Sequence, residues 1–270
     1  MERFRAIVAY DGAGYHGFQR LSGGAPSVQA AIEAALTRIN GGPVEVIGAG
    51  RTDAGVHATG QVIAFEMSWR HTEADLLRAI NATLPNDIAV QQLSRAAPGF
   101  HPRYDARSRA YCYRVYAAPQ RQPLLERLAW QVRVEPDVAL MNEAAALLIG
   151  THDFASFGTP PRGESGTTRR TVFEARWEAE PPRFGVPILA FHIEADAFLY
   201  RMVRSVVGAL IEVGTAHMTV QAFEAAFRAH DRARIGVLAP PHGLTLAQVS
   251  YDPVSDKTDM TDAGRRPLGA

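Results

Sequence analysis

GRTDAGVHATG, residues 50–60, lies between VEVIGAG (44–50) and QVIAFEM (61–67), two short runs with the β-branched and aromatic content of strands. The segment is too poor in apolar groups to be core, and Gly50, Gly55 and Gly60 suit tight turns or the close approach of another backbone. It therefore reads as a loop joining the two middle strands of a unit. Upstream, Phe4, Ala6, Val8 and Tyr10 alternate along a strand that runs into DGAGYHGFQR (11–20), a glycine-punctuated turn. Ser27 precedes Val28, Ile32, Leu36 and Ile39 at helical spacing, and Asn40-Gly41-Gly42-Pro43 stops that helix. Downstream, Thr72 and Asp75 form a capping-box pattern before Leu76, Leu77 and Ile80, and DIAVQQLS (87–94) closes the unit as a strand. The order is β-α-β-β-α-β, the split or ferredoxin-like pattern.

The second half repeats it with insertions. RSRAYCYRVYAAP (107–119) is a strand, LAWQVRV (128–134) contains a shorter one, and Val138, Met141, Ala145 and Leu148 share a helix face. TVFEARWEAE (171–180) and PILAFHIEAD (187–196) are strands around a proline-containing turn, Asp196 stands where it could cap a long helix ending near Gly214, and a further helix precedes the strand LTLAQVSYD (244–252). The expected fold is α+β, two fused ferredoxin-like (split β-α-β) subdomains. Residues 1–100 form an N-terminal α/β domain with the 50–60 loop, 101–252 a C-terminal α/β domain, and 253–270 a flexible tail with few large apolar groups. Two sheets of this order, each with one face free of helices, could pack together or line a cleft.

Composition sets bounds but names no partner. The 270 residues hold 28 basic and 28 acidic groups, so the net charge is zero, and Lys257 is the only lysine. The single cysteine, Cys112, excludes an intrachain disulfide and a multi-cysteine zinc site. MERFRAIVAYDG enters a strand pattern directly, and the most apolar helix carries Arg201, Arg204 and Glu212, so a cytoplasmic setting without membrane insertion is expected. No HExxH, close His/Cys pair, G-x-G-x-x-G or P-loop pattern points to a metal or a nucleotide cofactor.

Two segments carry chemistry. In the 50–60 loop, a guanidinium from Arg51 could hold Asp53 ionised and oriented, as a nucleophile or base requires, while an Asx-turn at Thr52–Gly55 accounts for the same residues. His57 could contact a ligand or make a local backbone hydrogen bond. In FHPRYDARSRAYCYRVY (100–116), strand geometry puts Arg109, Tyr111 and Tyr113 on one face. Residues 95–121 hold six arginines against one acidic residue, Asp105. Arginine interleaved with tyrosine suits phosphates beside unstacked bases, and it equally suits a strand with core tyrosines and solvated arginines.

GRTDAGVHATGQV closely resembles the active-site motif of the TruA family of tRNA pseudouridine synthases. The similarity continues in order through VAYDGAGYHGFQR, PSVQAAIEAAL, FHPRYDARSRAYCYRVY, HDFASF, FLYRMVRSVVGALIEVG and DRARIGVLAPPHGLTL. The resemblance implies the pseudouridine synthase fold and isomerisation of uridine at positions 38, 39 and 40 of the tRNA anticodon stem-loop. It also implies a homodimer that needs no cofactor. By motif, Asp53 corresponds to the catalytic aspartate, Arg51 to its associated arginine and Tyr111 to the tyrosine that stacks on the target uracil. His57, Arg103, Arg109, Tyr113, Arg201 and Arg204 are the further candidates for contacts with RNA. Asp196 and Tyr200 depart from the Asn and His common in the family at those positions. An N-glycosidase built on the same aspartate, or a noncatalytic RNA-binding module on the Arg/Tyr strand, are the alternatives.

Overall fold

The computed structural model describes residues 1–160 and 166–252, so the expected tail at 253–270 lies outside the described residues. The N-terminal half contains β1 (Glu2–Tyr10), α1 (Val28–Asn40), β2 (Val46–Gly48), β3 (His57–Met67), α2 (Glu73–Thr83) and β4 (Ile88–Arg95). The C-terminal half contains β5 (Ala106–Ala117), β6 (Trp130–Val132), α3 (Val138–Ala146), β7 (Gly150–Asp153), β8 (Arg169–Arg183), β9 (Val186–Ala195), α4 (Met202–Gly214), α5 (Val220–Arg228) and β10 (Leu244–Tyr251). Local chemistry sets many boundaries. Ser27 caps α1 by accepting from the Ala30 amide, Gly41 ends it in the left-handed region (φ 72°), and Thr72 and Asp75 form the capping box of α2.

The strand order is β4-β1-β3-β10-β5-β9-β8-β7, with β2 also paired to β3 and β6 to β5. Each half thus has the ferredoxin-like order, β4-β1-β3-β2 in the first and β10-β5-β9-β8 in the second. The halves do not pack face to face. They join edge to edge, because β10, last of the described strands, runs parallel to the start of β3 (Thr245↔His57, Leu246↔Ala58) and antiparallel to β5. That pairing occupies backbone groups that two separate sheets would leave exposed along their edges.

Besides a small cluster of Tyr116, Leu125, Ala129, Val186 and Ile188, two large hydrophobic cores result. One gathers Phe4, Val8, Ile32, Leu36, Phe65, Leu76 and Ile80 with Leu246 and Val249 of β10. The other gathers Tyr113, Phe154, Phe157, Trp177, Phe191 and the nearly all-buried α4, and takes in Val56 from the first half. Each core therefore borrows side chains from the other half at the join. Among the described residues no helix is long and apolar enough to cross a membrane.

Asp196 does not cap α4. Its Oδ1 accepts from the Thr171 and Ala197 amides, and α4 starts only at Met202, after Arg201, a left-handed N-cap (φ 62°) with no side-chain cap. The expected break between two sheet strands also shifts, since β3 begins at His57 and takes in the second part of the 50–60 stretch.

Candidate active site

The remaining loop, residues 49–56, is held from several sides. The Tyr10 hydroxyl meets Thr52 Oγ1 at 2.8 Å, the Phe18 amide donates to the Thr52 carbonyl at 3.1 Å, and Gln61 Nε2 donates to the Gly50 carbonyl at 2.8 Å. The Val56 amide closes a turn onto the Asp53 carbonyl (3.1 Å), with Gly55 at φ 77°, where a side chain is disfavoured. This is a backbone turn, so the Asp53 carboxylate is not spent on an Asx-turn. DGAGYHGFQR packs beneath the loop. A Cβ on Gly12 would lie 2.0 Å from the Val56 carbonyl oxygen, and one on Gly17 would lie 2.6 Å from that of Thr52.

Asp53 instead faces α4. Arg204 Nη1 donates to Asp53 Oδ2 at 3.1 Å, and its Nε donates to the Ala239 carbonyl at 2.8 Å, so the guanidinium is fixed from both ends. The two side chains are 24% and 11% exposed, which leaves the carboxylate reachable while shielding its partner. Tyr111 stands close enough to Asp53 for that charge to help raise its phenol, behind burial as the main cause and Tyr10 as the second. Phe198 meets the Tyr111 ring edge-on, with centroids 5.1 Å apart. A carboxylate, a cation holding it and an aromatic ring within its electrostatic reach are the parts needed to attack an electrophilic carbon beside a held base.

The other candidates separate into distinct roles. Arg51 is exposed and makes no ion pair among the described residues; the guanidinium on Asp53 comes from Arg204. His57 is buried, accepting from the Gly12 amide at Nδ1 and bonding the His242 carbonyl through Nε2, both at 3.1 Å, which makes it a tie between three loops. Arg109 is turned inward and donates to the carbonyls of Ala49, Arg103, Ala106 and Asp196. It joins the start of the 49–56 loop to the segments leading into β5 and α4, with both terminal nitrogens committed to backbone carbonyls. Tyr113 is fully buried and donates to the Pro240 carbonyl at 2.8 Å, a core position away from any stacking surface. The Arg103 guanidinium lies 5.8 Å from the exposed Tyr104 ring, and Arg201 lies 4.9 Å from the Tyr200 ring.

Three contributors escape sequence reading: Phe198 against Tyr111, the 11–18 segment under the loop, and the 239–242 segment. That last segment supplies the Ala239, Pro240 and His242 carbonyls, and Pro241 packs on Gly55. The close glycines are the available signal for the second, whereas the others depend on pairing across the fold.

The fold also gathers Cys112, His192 and Glu180, which no local pattern links. Both Glu180 carboxylate oxygens accept from Arg114 at 2.8 Å, which holds that carboxyl below its usual range, and burial pushes the Cys112 thiol up to about 11. The group reads as an ion-pair cluster beside a protonated thiol.

The tRNA pseudouridine synthase profile matches residues 6–105 and 144–252. Proteins named tRNA pseudouridine synthase A are similar over nearly the whole chain. That of Neisseria gonorrhoeae is 38% identical over 93% of this chain and 92% of its own. That of Methylacidiphilum infernorum is 38% identical over 93% and 96%, and that of Chloroflexus aurantiacus 39% over 94% and 90%.

Proposed function

The chain belongs to the tRNA pseudouridine synthase family, and we propose that it isomerises uridines at positions 38, 39 and 40 of the tRNA anticodon stem-loop, with Asp53 as the essential carboxylate. The observation that carries this reading is the Asp53–Arg204 pair at 3.1 Å beside Tyr111.

The reaction breaks the N1–C1′ bond, turns the uracil while it stays bound, and forms C5–C1′. C5 loses a proton and N1 gains one, so composition is unchanged and neither oxidant nor group donor is required. Asp53 starts it as a nucleophile at C1′ of the ribose or C6 of the base, or by stabilising sugar cation character; all three need an ionised carboxylate. Arg204, 3.1 Å from Asp53 Oδ2, keeps the carboxylate aimed. Tyr111 contributes its ring: a phenol raised above its ordinary pKa of about 10 is protonated at neutral pH and is a poor base. The ring, braced by Phe198, restrains the uracil during its rotation. Arg51, exposed next to the nucleophile, is free to hold displaced RNA.

The reading includes two domains, 1–100 and 101–252, supported by the repeated strand order and the two cores. It includes a homodimer, whose shared contacts would offset the roughly few kcal/mol needed to extrude the target base, and a cytoplasmic location with the tRNA substrate. Both follow the family resemblance. The test is incubation of the purified protein with unmodified tRNA and mapping of pseudouridine at nucleotide resolution. Product in the anticodon stem-loop, with RNA mass unchanged, is expected. Free uracil would instead support a glycosidase, and product confined to the T-loop would overturn the assigned specificity.

A further inference from the structure

The connection between β9 and α4 forms one wall of the candidate site. Phe198 touches Tyr111, and Arg204, in the first turn of α4, holds Asp53. Between them in the chain, Tyr200 and Arg201 point outward while their neighbours Leu199 and Met202 are buried. Tyr200 is 47% exposed, an unusual outlay for an aromatic ring beside a catalytic cleft.

The backbone beneath this pair is rigid. The Tyr200 amide donates to the Thr159 carbonyl at 2.9 Å in an isolated β-bridge, and Gly158 packs so closely that a Cβ there would lie 2.6 Å from Leu199 Cβ. Arg201 takes a left-handed conformation, φ 62° and ψ 9°, which disfavours any residue with a Cβ and which is not offset by a side-chain cap. That conformation sets the Arg201 guanidinium 4.9 Å over the Tyr200 ring. Arg201 is exposed and makes no ion pair among the described residues.

A fixed, exposed ring with a cation over it has the chemistry to bind an unstacked base and the phosphate beside it. We propose that Tyr200 and Arg201 form a stacking platform for a nucleotide flanking the target uridine, the ring taking the base and the guanidinium the adjoining phosphate. The inference rests on the reading of the site as a tRNA pseudouridine synthase and deepens it. Its position between Phe198 and Arg204 means that a nucleotide seated there is held within the same short segment that positions both catalytic side chains.

The test uses the full-length protein and an anticodon stem-loop RNA with 2-aminopurine on either side of the target uridine. Wild-type protein is expected to form pseudouridine and quench at least one probe. Tyr200→Ala should lose that quenching and raise KM about five- to a hundredfold, the range for one base–aromatic stack, with a smaller effect on kcat. Tyr200→Phe should restore both. Arg201→Gly, which tolerates the left-handed backbone and removes the side chain with its guanidinium, should weaken binding and flatten its salt dependence. Absence of pseudouridine from wild-type protein overturns the functional reading itself. Product from wild type together with a Tyr200→Ala variant of parental KM and quenching overturns the platform alone, as does a Tyr200→Phe variant as impaired as Tyr200→Ala.

Discussion

Arg204 lies 151 residues from Asp53 in the chain, yet it is the group that holds the carboxylate. Arg51, two residues away, is exposed to solvent. Proximity in sequence favours the wrong guanidinium because a loop does not fix side-chain direction, whereas a helix anchored by the Ala239 carbonyl does. Arg109 teaches the same lesson, reading as an RNA contact on its strand but satisfied by four carbonyls. The motif resemblance points to Asp53 and Tyr111, whereas the grip of Arg204 on Asp53 has no local signal. The two arginines make separable predictions. Arg204→Ala should lower kcat about 100-fold or more through loss of carboxylate orientation, with RNA binding largely kept. Arg51→Ala should act mainly on KM. Steady-state kinetics on one tRNA separates them, and equal kcat losses would place Arg51 in the orienting role as well.

At the scale of elements, capping chemistry was readable wherever the partners are local: Ser27 for α1 and the Thr72–Asp75 box for α2. Asp196 misleads because its side chain is claimed by Thr171 of a neighbouring strand, leaving α4 to begin on a strained Arg201. The parallel pairing of β10 with β3 has no local signature at all, since register between distant strands depends on both halves folding. Gly60 marks that seam: a Cβ there would lie 2.1 Å from the Ala247 carbonyl oxygen and 2.9 Å from Gln248 Cα. Backbone cannot yield as a flexible side chain can. Gly60→Ala is therefore expected to destabilise the protein by about 1–3 kcal/mol or more, the cost of overpacking. Urea unfolding monitored by far-UV circular dichroism measures it, and an unchanged midpoint would show that the seam is looser than this packing.

For the whole molecule, the net charge of zero conceals a core with many buried phenols. Burial raises Tyr10 to about 12 and also raises Tyr111, Tyr113 and Tyr251, while Cys112 rises to about 11. In the unfolded chain these groups ionise near about 10 for tyrosine and about 8.5 for cysteine. The folded state thus holds more protons above those values, so stability is full below about pH 8.5 and declines as pH rises through 10 and beyond. His242, lowered chiefly by burial, has the opposite sign and removes stability as pH falls below about 6.5. Urea midpoints across pH should show a plateau between these limits; a midpoint rising above pH 10 would contradict the buried-phenol account. The repeated element order was legible in the sequence because each half patterns its own core, whereas their fusion into one sheet was not. The fused sheet brings Asp53, from the first half, against Arg204 of the second. Wild type and Asp53→Asn are to be compared on unmodified tRNA, measuring pseudouridine formation and tRNA binding together. Asp53→Asn is expected to form no pseudouridine while still binding tRNA; conversion at near the parental rate would overturn the role of Asp53.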